Sequence, residues 1–290
     1  LCDRRLIEEE QAQMKIVLAV DGSKHGRWSM GWVPHVPLVT LPKVVAVHAL
    51  DLAALKAPFM MQPVVIGNQP YIRAEVTRLE QQAKRVSMET KDFLASAQLA
   101  GKVIVERSAP APAILKHARH GDVIMLGRRG LTGLDRFLLG SVSQRITLHA
   151  HSSVFIVKQP PRVVRRILLA TDGSKSSSKA IRFVMEEMRS ENIEIELVHI
   201  IPFMRHPELK EAGLALLDRD ASRLLKAGYT VNETLKIGQP AEEIIKIADR
   251  YKVDVIVLGA KGLGAIARFF LGSVSMQVVQ HSTCSVLVVR

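Results

Sequence analysis

Two doubly wound α/β domains in one chain, each a five-stranded parallel sheet of Rossmann-like form, are predicted by three observations. Short β-branched apolar runs alternate with amphipathic stretches, the pattern of parallel strands joined by helical crossovers. The alternation is written twice, since KIVLAVDGSK at 15–24 returns as RILLATDGSK at 166–175. A glycine frame, G-x2-G-x9-G-S, follows the fourth apolar run of each copy.

The first copy justifies its elements in order. Strands are expected at 15–20, 43–48, 102–106, 122–126 and 153–157, where Val and Ile dominate and Gly, Pro, Ser or Asp mark the ends. A first helix behind DGSK is weakened by Gly26, Gly31 and Pro34. Trp28 and Trp32, one turn apart on it, are expected to pack together. Between the second and third strands, Ile72, Val76, Leu79, Ala83, Val86, Thr90, Phe93 and Ala97 recur by threes and fours. That spacing makes one apolar helix face, which packs on the sheet. The last helix of each copy opens at the end of the frame, in SVSQRITLH and SVSMQVVQH. Right-handed crossovers then cover both sheet faces.

The copies are offset by 151 residues at Lys15 and Arg166, and by 132 at Gly127 and Gly259. The first copy therefore carries an insertion, placed at about 49–71, rich in Pro and Met. Domains are expected at 14–158 and 165–290, joined by the Pro-containing QPPRVV.

Composition bounds the function classes. The 290 residues are 48% hydrophobic and 23% charged, which fits a globular protein with two cores. The formal charge is +12, and residues 1–158 carry +8 of it, 21 Lys/Arg against 13 Asp/Glu. Such a balance favours polyanionic partners. The basic residues are scattered and aromatics are 4%, so a stacking platform for nucleic acid is not supported. Two cysteines, Cys2 and Cys284, give neither a disulfide framework nor metal spacing and favour a reducing cytoplasm. No apolar run approaches the roughly 20 residues of a membrane helix, and the opening residues lack a signal-peptide core. A cytoplasmic protein without a membrane partner is expected.

In sheets of this class ligands bind beyond the carboxyl ends of the strands, where strand order reverses. DGS follows the first strand and the frame follows the fourth, so both face one pocket. The frame comprises Gly127, Gly130, Gly140 and Ser141, then Gly259, Gly262, Gly272 and Ser273. Glycines there let main-chain N–H groups approach an anion, and the helix start adds free donors, so phosphate is the natural guest. The same residues serve equally well as a turn and a helix cap. Asp21 and Asp172 are either turn formers or carboxylates that accept from a base or sugar. Neither GxxxxGK[ST] nor a first-turn GxGxxG occurs, and HExxH and GxSxG are absent, so no catalytic residue or metal centre is assigned.

DGS after strand one, VHAL or VHII at strand two, the frame closing in LGSVS, and a last strand preceded by His149 or His281 together resemble the universal stress protein family, in tandem. The resemblance covers nearly all of both halves. It implies ATP or ADP, with or without Mg2+, as the ligand of each half. Adenine would lie near Asp21 and Ala49 in the first half, and near Asp172 and Ile200 in the second. The small Ala19 and Ala170 would leave room for the base. Ribose and phosphates would meet Gly127, Gly130, Gly140, Ser141, Val142 and Ser143, and correspondingly Gly259, Gly262, Gly272, Ser273, Val274 and Ser275. Within the first frame stand Arg128 and Arg129, where the second has Ala260 and Lys261; these are either phosphate neutralisers or solvated loop charges. Relatives commonly dimerise through the final strand, which implies an internal pseudo-dimer, a homodimer, or an unknown protein partner. The expected function is a stress-response or signalling protein that binds adenine nucleotide. The alternatives are a slow ATPase or nucleotidyl-transfer enzyme, and a structural dimerisation module with vestigial pockets. His48 and His199, which recur with the fold, are expected to satisfy local hydrogen bonds.

Overall fold

A computed structural model describes residues 14–53, 69–129, 139–202, 208–261 and 271–290. The first half runs β1 (Lys15–Ala19), α1 (Lys24–Trp32), β2 (Lys43–Ala49), α2 (Gln69–Ser96), β3 (Gly101–Glu106), α3 (Pro110–Leu115), β4 (Val123–Gly127), α4 (Ser141–His149) and β5 (Ser153–Val157). The second repeats it as β6 (Arg166–Ala170), α5 (Lys175–Glu187), β7 (Glu194–Ile201), α6 (Glu208–Lys226), β8 (Thr230–Ile237), α7 (Pro240–Tyr251), β9 (Val255–Gly259), α8 (Ser273–His281) and β10 (Ser285–Val289). Most of the expected insertion, along with Gly130 and Gly262, lies outside the described residues.

The strands form one ten-stranded sheet in the order β3-β2-β1-β4-β5-β10-β9-β6-β7-β8. Among the described strands the pairs within each half are parallel, and β5 and β10 run antiparallel, with Phe155 opposite Leu287. β1 and β6 are flanked by strands reached in opposite directions, which places a switch point at the carboxyl end of each. Alternation divides the strand residues between two cores. Ile16, Leu18, Met125, Phe155 and Val157 join Trp32 and Ile181 on one face. Val17, Ile124, Val154 and Ile156 join Ile114, Ile146 and Val278 on the other. Both cores take residues from both halves, so the apolar interior is continuous across the β5–β10 seam.

The seam is completed by polar groups related by the internal repeat. The Lys158 amide donates to Ser285 Oγ at 3.2 Å, and the Arg290 amide to Ser153 Oγ at 3.3 Å. Lys158 Nζ, only 7% exposed, donates to both the carbonyl and the hydroxyl of Ser282 at 2.7 Å.

The first helix forms in spite of its glycines. Ser23 Oγ caps it by accepting from the Gly26 amide at 3.0 Å, and Met30 and Trp32 are buried, so a cap and tertiary burial outweigh propensity. Trp28 and Trp32 have separate ring partners. Trp32 packs on Phe155 at 5.5 Å and donates to the Gln159 carbonyl, while Trp28 meets His25 at 4.9 Å and lies under Lys24.

Candidate functional site

The loop after β1 is shaped by the motif itself. Asp21 Oδ1 accepts from the Ser23 amide at 2.9 Å, and Asp172 Oδ1 from the Ser174 amide at 3.0 Å. Between each pair a glycine takes the left-handed conformation, φ 77° at both Gly22 and Gly173, which an L side chain adopts only under strain. Each Asp is therefore a turn former, and Asp21 also lines a cavity at the switch point. The imidazoles behind the loop do what was expected of them: Nδ1 of His48 donates to the Val20 carbonyl, and that of His199 to the Thr171 carbonyl, each at 2.8 Å.

The frame's first glycine is required by packing. A Cβ on Gly127 would stand 2.6 Å from His25 Cβ and 2.8 Å from its backbone, and one on Gly259 would stand 2.5 Å from the Ser176 carbonyl carbon. The chain next holds the frame's ends together by main-chain bonds. The amide of Gly140 donates to the Arg128 carbonyl at 2.9 Å, and that of Gly272 to the Ala260 carbonyl at 2.7 Å. Gly140 and Gly272 then cap α4 and α8 with the same dihedrals, φ −63° and ψ 151°, and without a side chain to accept from the first turn. The amides of Ser141, Val142 and Ser143, like those of Ser273, Val274 and Ser275, are the first-turn donors that a helix cannot satisfy internally. The hydroxyls of Ser143 and Ser275 are directed inward, donating to the Gly127 and Gly259 carbonyls at 2.8 Å. Those two serines lock the helix onto the strand, and their amides alone are left for a ligand.

In the first half these groups surround a cavity of about 710 Å³. Ala19, Asp21, Ala49, Gly127, Gly140, Ser141, Val142 and Ser143 all line it. Val47, Ile114, Leu126 and Leu139 give it apolar walls, while Arg78, Gln82, Asp51 and Arg129 add polar ones. Gln82 and Arg78 belong to the long helix whose apolar spacing announced only its sheet face; their place at the cavity depends on where that helix crosses the sheet. A larger cleft of about 1600 Å³ opens at the opposite edge, where the 33–42 segment meets the amino ends of β6 and β7. It is away from both frames, and Arg166 and Glu194 on its wall are already ion-paired at 2.7 Å. Any Mg2+ held by phosphates needs few protein ligands, and Asp21 and Asp51 are the carboxylates lining the cavity. Among the described residues, no group of three or more His, Cys, Asp and Glu forms a metal centre, and no helix is long and apolar enough to cross a membrane.

Ala170, Asp172, Ile200, Gly259, Gly272 and Ser273 occupy the matching positions of the second half. Beneath them the chain has substituted polar groups in concert. Thr171 replaces Val20, Ser177 replaces Gly26, and the fully buried Asp220 stands at the register position of Thr90. Asp220 Oδ2 accepts from Thr171 Oγ1 at 2.9 Å, and Oδ1 accepts from Arg219 at 3.0 Å. Asp220 thus buttresses the loop that carries Asp172. Asp220→Leu is expected to lower unfolding free energy by about 3 kcal/mol, by freeing Arg219 and leaving the Thr171 hydroxyl only its 3.5 Å contact to Ser177 Oγ as an acceptor. Asp220→Asn, which keeps an acceptor, should cost about 1 kcal/mol in the same urea titration.

Against known proteins, the model described as "Universal stress protein family" matches residues 14–158 and again 164–290. Universal stress protein Rv1996 of Mycobacterium tuberculosis is 24% identical over 315 residues, covering 97% of this chain and 96% of its own length. A universal stress protein of Thermus aquaticus is 34% identical over 135 residues, 43% of this chain and 98% of that one. A solved universal stress protein from Archaeoglobus fulgidus shares the fold across both halves, with a TM-score of 0.68, 19% identity, and coverage of 95% of this chain and 98% of the other.

Proposed function

The chain belongs to the universal stress protein family, and from that premise we propose that it is a cytoplasmic stress-response protein whose two halves bind adenine nucleotide, ATP or ADP, beside their frames. The observation that carries the proposal is the first-half cavity. One volume joins an apolar slot, Asp21, and a helix start at Gly140 that has no side-chain cap. An apolar slot suits a base, Asp21 suits ribose or base donors, and the first-turn amides with the positive helix end suit phosphates. About 710 Å³ falls within the range of small-molecule sites.

On this reading the nucleotide acts as a signal and is bound more tightly by one conformation of the chain than by another. Mg2+, where present, travels with the phosphates near Asp21 and Asp51. The test is isothermal titration of the full chain with ATP and ADP. Gly140→Val and Gly272→Val each place a β-branched side chain at a helix start whose dihedrals any residue can adopt. Each is expected to weaken binding at its own half by about 100-fold while leaving the circular dichroism spectrum unchanged and costing only about 1 kcal/mol of stability, the loss of a good N-cap residue. Titration curves unaltered by both substitutions would defeat the assignment.

A further inference from the structure

The two halves differ where the phosphates of the proposed nucleotide would lie, and the difference is one of charge. In the first half, Arg129 lines the cavity beside Gly140 and Ser141. Around it stand Lys24, His25 and Arg128; burial lowers the protonation of His25, the charges of Arg129, Lys24 and Arg128 lower it further, and Asp21 opposes them. Arg128 Nε is buried with no hydrogen-bond partner. A set of like charges gathered at one strand end is held at a cost, which an anion of several charges relieves.

The second half keeps two of these three Lys and Arg charges and loses the counterparts of Arg128 and His25. Offsets of 151 and 132 residues place Lys175, Ser176, Ala260 and Lys261 where the first has Lys24, His25, Arg128 and Arg129. Gly22 faces Val86 and Gly173 faces Leu216, so α2 and α6 correspond at an offset of 130. Arg78 on the first cavity's wall is answered by Glu208, but Glu75 already pairs Arg78 through two hydrogen bonds, so the contrast rests on the strand-end set. At the base position, Ala49 is answered by the larger, buried Ile200.

We propose that the first half selects adenine nucleotides by the length of the phosphate tail, with Arg129 as the residue that reads it, and that the second half, which keeps Lys261 there but has no counterpart of Arg128 or His25, discriminates far less among AMP, ADP and ATP. This rests on the nucleotide reading above and adds to it a substrate class for one site: nucleoside polyphosphates.

The test uses the full chain in EDTA, so that no metal masks the phosphates, with AMP, ADP and ATP as probes. With the second site blocked by Gly272→Val, affinity is expected to rise from AMP to ADP to ATP by about tenfold or more. Arg129→Ala in that background should weaken ATP by about tenfold and AMP by less than about threefold. With the first site blocked by Gly140→Val, ATP and AMP should bind within about threefold of each other. Should either glycine variant fail to fold, Arg129→Ala and Arg129→Glu in the otherwise unchanged chain read the same selection at the tighter site. Equal affinity of the first site for AMP and ATP, or an Arg129→Ala variant that weakens both alike, overturns the selection and leaves nucleotide binding standing. Absence of heat with all three nucleotides overturns both.

Discussion

Gly259→Ala is expected to lower the stability of the chain by about 3 kcal/mol, at the upper end of what overpacking costs, although the change adds one methyl group. The added carbon would stand 2.5 Å and 2.6 Å from the carbonyl carbon and oxygen of Ser176, in the first turn of α5. Those are main-chain atoms of a capped helix, with no flexible side-chain end that could swing aside. Relief requires α5 to lift from β9, and that opens the core where Ala180, Ile181 and Val184 are fully buried. Gly127→Ala meets His25 in the same way, at 2.6–2.8 Å. Gly140→Ala, at an ordinary φ of −63°, is the comparison, expected to lose only about 1 kcal/mol because alanine is a poorer N-cap than glycine. Urea unfolding followed by circular dichroism measures all three. A loss below about 1 kcal/mol for Gly259→Ala would mean that helix and strand are not in this contact, and the need for glycine would pass to the ligand.

Stability should also climb from pH 7 to pH 9, by about 2 kcal/mol, because of one residue at the seam. Burial, aided by the charge of Arg128, lowers Lys158 from an ordinary 10.5 to about 7. The sign follows from proton counts. Between about 7 and 10.5 the unfolded chain keeps a proton on this amine that the folded chain has released, so raising pH favours the folded state. Below about 7 both states hold the proton, and the full cost of burying the charge is present. Cys284 works in the opposite direction. Burial raises its thiol from 9.0 to about 12, so above pH 9 the unfolded chain loses a proton that the folded chain keeps, and stability falls. Tyr229, raised by burial from 10.0 to about 12, adds to that fall. Maximum stability is therefore expected near pH 9. Lys158→Met should abolish the rise between pH 7 and 9 while sparing the decline above it. A rise of the same size in Lys158→Met would remove Lys158 as its source.

Most of the scaffold could be read from the chain because strand and helix periodicities are local. The runs at 15–20 and 122–126 appear as Lys15–Ala19 and Val123–Gly127, and the threes-and-fours spacing from Ile72 to Phe93 appears within Gln69–Ser96, with Ala97 just past its end. The site was legible only in part. Ala19, Asp21, Ala49 and the 140–143 turn do converge on one cavity, because the motif order fixes which strand ends they occupy. The inward hydroxyls of Ser143 and Ser275 gave no signal, since a serine three residues into a helix looks the same whether it points to ligand or to strand. Trp28 and Trp32 do meet the same core cluster, but their ring partners were not legible: neighbours on a helix face choose partners from whatever packs against it, and Phe155 is 123 residues away from Trp32. The sequence did show Arg128 and Arg129; it could not show that Lys24 and His25 stand beside them.

By itself, the amino-acid order determined the duplication, the five strands of each copy and the edge of the sheet at which the motifs lie. Periodicity and turn chemistry act over a few residues, and the repeat supplied an internal check on each element. Only the tertiary structure decided that β5 and β10 join the copies into a single sheet, that Lys158 is buried at that junction, and that the first site is lined by arginine where Glu208 and Lys261 mark the second. Such outcomes depend on how distant segments meet, and burial and electrostatic energies are set by those meetings rather than by spacing along the chain.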